Sequence, residues 1–153
     1  MRRARLGLLL ALAPLAALAP SPAAACTVSA SGVAFGDYSF SDPGPTDGVG
    51  TINLGCHPSA SPVISIDAGG SGSFAPRRMQ NGVHRLNYNL FTNVARTIVW
   101  GNGSGGSSTF RPPSGTVTGG VRHFTVPVYG RIPAGQNAAA GTYSDTLIIT
   151  VTF

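Results

Sequence analysis

The sequence predicts an all-β domain, an antiparallel sandwich of six or seven strands, from three observations. Charged residues make only 10% of the 153 positions, against about 25% in ordinary globular proteins. Glycine (21) and proline (12) are abundant while 42% of the chain stays hydrophobic, which excludes a charge-solvated disordered polypeptide. Apolar residues alternate with period two in several short segments, and no window carries a 3.6-residue period long enough for a helix. Lys and Glu, which fill the outer faces of helical bundles, are absent altogether.

Residues 1–25 read as a secretory signal peptide. Arg2, Arg3 and Arg5 form a basic start, Leu6 to Leu18 an apolar run, and Ala23-Ala24-Ala25 a small-residue cleavage signal. The apolar run is too short to span a bilayer as a helix, and Pro14 interrupts it. Cleavage after Ala25 leaves a single domain, 26–153, starting at Cys26. Seven Arg then face five Asp, a net charge of +2 with no basic run longer than Arg77-Arg78. Nucleic acid is therefore not an expected partner.

The strands follow in order. Thr27 to Phe35 alternates small polar and apolar residues and leads into Phe35-Gly36-Asp37-Tyr38. Turn formers fill Ser41 to Gly48, with Asp42 and Asp47 among them. Val49 to Cys56 places Ile52, Leu54 and Cys56 on one face. Pro62 to Asp67 is a short apolar strand that runs into the glycines at 69–72. Leu86, Tyr88 and Leu90 alternate with Asn87 and Asn89, and Thr97 to Trp100 is predicted as a further strand. The Gly/Ser/Thr/Pro stretch 101–120 reads as a long loop with at most one edge strand. Phe124, Val126 and Val128 alternate again. Tyr143, Asp145, Leu147, Ile149, Val151 and Phe153 form one face of the strongest strand pattern, which ends the sequence. Asp145 is its one charge, expected at the solvent end of that strand or paired with an arginine such as Arg131 or Arg96.

Cys26 and Cys56 are the only cysteines. In an oxidising compartment after export, such a pair reads first as a disulfide. The rival reading makes Cys26 a lipidated first residue. Ala at position 23, where a lipoprotein signal carries Leu, and the unpaired Cys56 that would remain both oppose it. Catalytic patterns are scarce. His57, His84 and His123 lack metal-ligand spacing, and no GxSxG elbow presents a serine. The glycines at 101–106 satisfy GxGxxG, but Ser107 to Pro113 cannot supply the helix N-terminus that a pyrophosphate needs. Asn102-Gly103-Ser104 is a glycosylation sequon that matters only in a eukaryotic host. The expectation is a protein that is not an enzyme, with no cofactor, metal site or small-molecule substrate.

Several segments together resemble the spore coat protein U family, which includes subunits of the archaic, Csu-type chaperone–usher pili. They are Cys26-Thr-Val with Gly32-Val-Ala-Phe35-Gly36-Asp-Tyr38, Cys56, Phe74-Ala-Pro-Arg77-Arg78-Met79, and Leu86 to Arg96. Val99-Trp100-Gly101, Val128-Tyr129-Gly130-Arg131-Ile132-Pro133, Gln136, and Gly141 to Phe153 complete the set. The resemblance implies an immunoglobulin-like sandwich that is exported through the periplasm to the cell surface and lacks its final strand. Its partners would be a periplasmic chaperone, an outer-membrane usher, and a neighbouring subunit that donates the missing strand. Leu147, Ile149, Val151 and Phe153 are then expected to form one rim of the partner-strand groove, with Val28 and the following strand as the other. A chain starting at Cys26 carries no alternating segment to donate, so a tip or minor subunit is expected rather than the shaft. The alternative is a self-sufficient structural coat protein; a part in adhesion and biofilm formation follows from the pilus reading alone.

Overall fold

The computed structural model describes residues 26–153. The signal-peptide expectation lies outside the described residues. Eight strands form in chain order: β1 (Cys26–Ala34), β2 (Thr46–Cys56), β3 (Val63–Ile66), β4 (Arg77–Asn81), β5 (His84–Phe91), β6 (Thr116–Thr118), β7 (Val121–Ile132) and β8 (Ile149–Thr152). The only helical piece among the described residues is a single 3-10 turn at Gly69–Ser71. The main sheet runs β1-β2-β7-β5-β4, with β6 added beside β7, and every pairing is antiparallel. A second sheet of β3 and β8 pairs Ile64 with Val151 and Ile66 with Ile149.

The period-two segments bury the faces their alternation predicts. Ile52, Leu54 and Cys56 of β2, Leu86, Tyr88 and Leu90 of β5, and Phe124, Val126 and Val128 of β7 are all at most 6% exposed. Ile64, Ile66 and Trp100 close the core from the second layer. Pro127 in the middle of β7 costs no ladder bond. Its partner across β2 is Thr51, whose N–H turns the other way to Ser31 Oγ (2.9 Å). Pro127 therefore faces the stretch of β7 between β6 and β5 that has no neighbour.

Four expectations are corrected. Arg77–Asn81 is a strand that polar composition concealed. Thr97 to Trp100 forms only isolated bridges, Phe91 with Val99 and Trp100 with Ser108. Asp47 lies in β2 rather than a turn: Arg131 grips it with two bonds (2.7 and 2.9 Å) and Arg96 approaches to 3.2 Å. The hydrogen bond from Arg131 is the main reason the Asp47 carboxyl sits below the ordinary carboxylate range. Finally, the C-terminal pattern is not one continuous strand. Its burial alternates from Tyr143 to Thr152, but its first half makes only one two-bond bridge, Ser144 with Gln80 of β4 (2.8 and 3.1 Å), and side chains hold much of the rest. Asp145 Oδ1 accepts from Gly70 N–H (3.0 Å) and Thr146 N–H (2.9 Å), and Asp67 Oδ1 accepts from Ile148 N–H (3.0 Å). Asp145 itself is half-buried and pairs with no arginine; it accepts from the Tyr88 hydroxyl at 2.8 Å.

Cys26 and Cys56 form a disulfide across a sequence separation of 30, tying the first residue of β1 to the last of β2. A loop of that size stabilises the fold by about 3 to 4 kcal/mol through the unfolded chain. Cys56→Ser is expected to lower the chemical-denaturation stability by that order; an unchanged midpoint would show the bridge to be idle.

Candidate partner-strand groove

The inward face of β1 is where the two layers fail to meet. Residues directly opposite in an antiparallel pair share a face, so Val28 and Ala30 point the same way as Leu54 and Ile52. Leu54 and Ile52 are 2% and 0% exposed, whereas Val28 is 46% exposed and Ala30 is open too. The second sheet does not reach over them.

Further along, this uncovered strip deepens into a cleft of about 990 Å³. One wall is the chain from Ala30 to Phe40 and the other is Ala138 to Asp145 with Leu147 and Ile149. Its floor is the core itself, including Ile52, Ile66, Met79, Leu86 and Val128. The first wall is shaped by glycines. Gly48 and Gly130 face each other across β2 and β7, and a Cβ on Gly130 would lie 2.7 Å from the Phe35 ring. Only glycine lets that ring lie so close to the sheet, where it meets Tyr88 edge-on at 6.0 Å. The two walls are tied at one end. Tyr38 hydroxyl accepts from Gln136 N–H at 2.6 Å, and the Gln136 side chain bonds both backbone groups of Asn87 at 2.8 and 2.9 Å.

The lining also carries polar side chains, Ser31, Asp37, Ser39, Thr142 and Ser144 among them, and the Tyr88 hydroxyl pairs there with the Asp145 carboxylate. Burial above all, and then the hydrogen bond to Asp145, push the Tyr88 phenol well above its ordinary range. The hydroxyl therefore remains a neutral donor at any pH the protein meets.

The rim of the cleft also presents backbone. Ile64 and Phe110 exchange their backbone bonds at 2.8 and 2.9 Å, so the Ile64 pair with Val151 is a non-hydrogen-bonded one. By the alternation of an antiparallel ladder, the N–H and C=O groups of Ile149 and Val151 then point away from β3, toward the open edge of β8.

Of the rim residues expected from sequence, Leu147 and Ile149 line the cleft. Val28 lies on the same uncovered face but beyond its deep part. Val151 packs half-buried on the core, and Phe153 lies past the end of β8, 54% exposed. The wall from Val33 to Tyr38 and the Ala138–Gly141 turn escaped the sequence analysis as groove residues. The Phe35-Gly-Asp-Tyr38 segment was a signal for the first; a run of alanines gave none for the second.

The two antiparallel layers form an immunoglobulin-like β-sandwich with an open cleft beside its last strand. The sequence matches the family model of the Spore Coat Protein U domain over residues 12–150, and the chain belongs to that family. It is 37% identical over 114 residues to Protein U of Myxococcus xanthus, covering 69% of this chain and 60% of that protein. The chain thus spans about three-fifths of that relative's length. In structure it is similar to the complex described as the CsuC–CsuE chaperone–tip adhesion subunit pre-assembly complex, from archaic chaperone–usher Csu pili of Acinetobacter baumannii. The TM-score is 0.62 at 23% identity, over 86% of this chain and 40% of the other. That likeness is one of fold.

Proposed function

We propose that this protein is an exported, non-catalytic structural subunit of a bacterial surface appendage of the chaperone–usher type, completed by a strand donated from a partner. The observation that carries this reading is the cleft. Its floor is made of core residues and its rim offers unpaired strand backbone, which is the arrangement strand addition uses: main-chain bonds for affinity, side-chain pockets for specificity. An apolar strand edge of this kind is otherwise an aggregation hazard. A periplasmic chaperone would fill the cleft first, and a neighbouring subunit would replace it at an outer-membrane usher. Membership of the Spore Coat Protein U family and the fold likeness to a chaperone-bound pilus subunit support the same partners. A tip or minor position follows if the exported chain begins at Cys26; an alternating apolar segment ahead of that cysteine would return it to the shaft.

Ile149→Asp is the direct test, because it sets a carboxylate in the apolar lining. The variant should reach the periplasm at the normal level and lose chaperone co-purification at least tenfold, since desolvating an unpaired charge is not repaid. Ile148→Asp, on the exposed opposite face, should be captured normally. Equal capture of both variants would sink the assignment of this cleft.

A further inference from the structure

We propose a second binding site, a hollow built around Arg111 and Arg122 that takes a single oxyanion group — carboxylate, sulfate or phosphate — of an external ligand. The hollow is about 160 Å³ and is lined by both arginines with Ser61, Ser114, Pro112 and Phe124 among its walls. Arg122 Nε is buried there without a hydrogen-bond partner among the described residues. Buried N–H groups of folded proteins are nearly always satisfied, so an orphan on a charged guanidinium points to a ligand or solvent acceptor. Apart from the exposed Arg78, the other arginines of the domain are engaged. Arg77 makes five internal bonds, Arg131 and Arg96 share Asp47, and Arg85 caps backbone carbonyls. Arg111 spends one nitrogen on Ser61 O at 3.0 Å.

Charge and rigidity favour an anion here. None of the chain's five aspartates lines the hollow, so the two cations are uncompensated at the site. Arg122 stands on β7 between Cys56 of β2 and Val117 of β6. The loop above it is pressed down at Gly115, where a Cβ would come within 3.0 Å of Arg122 Cγ and 2.9 Å of the Phe124 ring. The aliphatic stem of Arg122 is thus packed under the loop, and its planar guanidinium fork suits a two-oxygen acceptor. The hollow is also independent of the partner-strand cleft. Along β7 the cleft begins at Val128, six residues from Arg122, or about 20 Å of strand. A donor strand would leave it open.

The test is a titration followed on the arginine Nε–H resonances of the oxidised protein, with a strand peptide in the cleft if one is needed to keep it folded. Sulfate, phosphate and glucuronate are added separately at constant ionic strength. The Arg122 Nε–H signal should shift saturably with at least one of them, and which one distinguishes a sulfated, phosphorylated or uronic-acid ligand. Arg111→Gln, at an exposed position, should weaken that binding roughly tenfold or more through loss of one charge-assisted contact with an unaltered melting curve. Non-saturating shifts shared by all arginines, or undiminished affinity in Arg111→Gln, would overturn the proposal. Should that variant melt early, the wild-type titration decides alone.

Discussion

Heated alone, the oxidised protein is expected to unfold over a broad range at low temperature, and to gain a sharp, much higher transition when a donor-strand peptide fills the cleft. The peptide would come from the alternating apolar extension of a neighbouring subunit. Each apolar side chain it buries against Ile52, Met79, Leu86 or Val128 is worth about 1.5 to 3 kcal/mol, less the cost of ordering the peptide. At a peptide concentration a hundred times its dissociation constant, the folded state gains about 2.7 kcal/mol by mass action alone. For a domain of this size that is a rise on the order of 10 °C. A sharp transition that ignores the peptide would mean that β3, β8 and Trp100 close a sufficient core by themselves. The self-sufficient coat protein would then be the better reading.

Why the cleft could be anticipated but not drawn is a matter of range. Alternation is a local property, so it placed Ile52, Leu54, Leu86, Tyr88, Phe124 and Val126 on buried faces, and the structure keeps them there. Val28 as a groove rim follows from the family resemblance alone; in the structure it lies opposite Leu54 on the inward face. Whether an inward face is covered depends on where the other layer ends, and nothing near Val28 in the chain carries that information. The same limit explains the C-terminal segment. Its burial period continues through Tyr143, Asp145 and Leu147, but only Ser144 forms a bridge there, with Gln80, and the carboxylates of Asp145 and Asp67 take the Thr146 and Ile148 N–H groups. Asp67 lies 81 positions from its partner Ile148, beyond any window. Asp47 misled for another reason: it stands among turn formers, and only the register of β2 on β7 brings Arg131 opposite it.

Arg77 is the extreme case, and its replacement should have the largest effect of any single substitution. Next to Arg78 it reads as half of a surface pair, yet it is 0% exposed. Its Nη2 donates to the carbonyls of Asp67 and Trp100, both at 2.7 Å, and its Nη1 donates to Asn89 Oδ1 at 2.8 Å. Asn89 in turn donates to Phe74 O at 2.7 Å, and the guanidinium lies 4.9 Å from the Phe74 ring centre. One cation thus joins β4, the end of β3, the Trp100 segment and β5. Burial is the main cause that lowers its pKa, but an arginine stays protonated regardless, so the fold must supply acceptors for a permanent charge. Arg77→Ala would leave three buried acceptors unmatched, at about 1 to 3 kcal/mol each, and open a cavity besides. A loss of about 3 to 5 kcal/mol is expected, a large share of a total stability that is commonly about 5 to 15. Arg77→Lys keeps the charge but cannot fork between Asp67 and Trp100; it should recover only part of the loss. Arg77→Met fills the volume without donors, so its gap from Arg77→Lys measures the hydrogen bonds rather than the packing. Urea midpoints of the three variants decide: if Arg77→Met is as stable as wild type, the carbonyls do not need the cation. The effect should reach the cleft as well, because Arg77 fixes Asp67, and Asp67 holds Ile148 beside the open edge of β8.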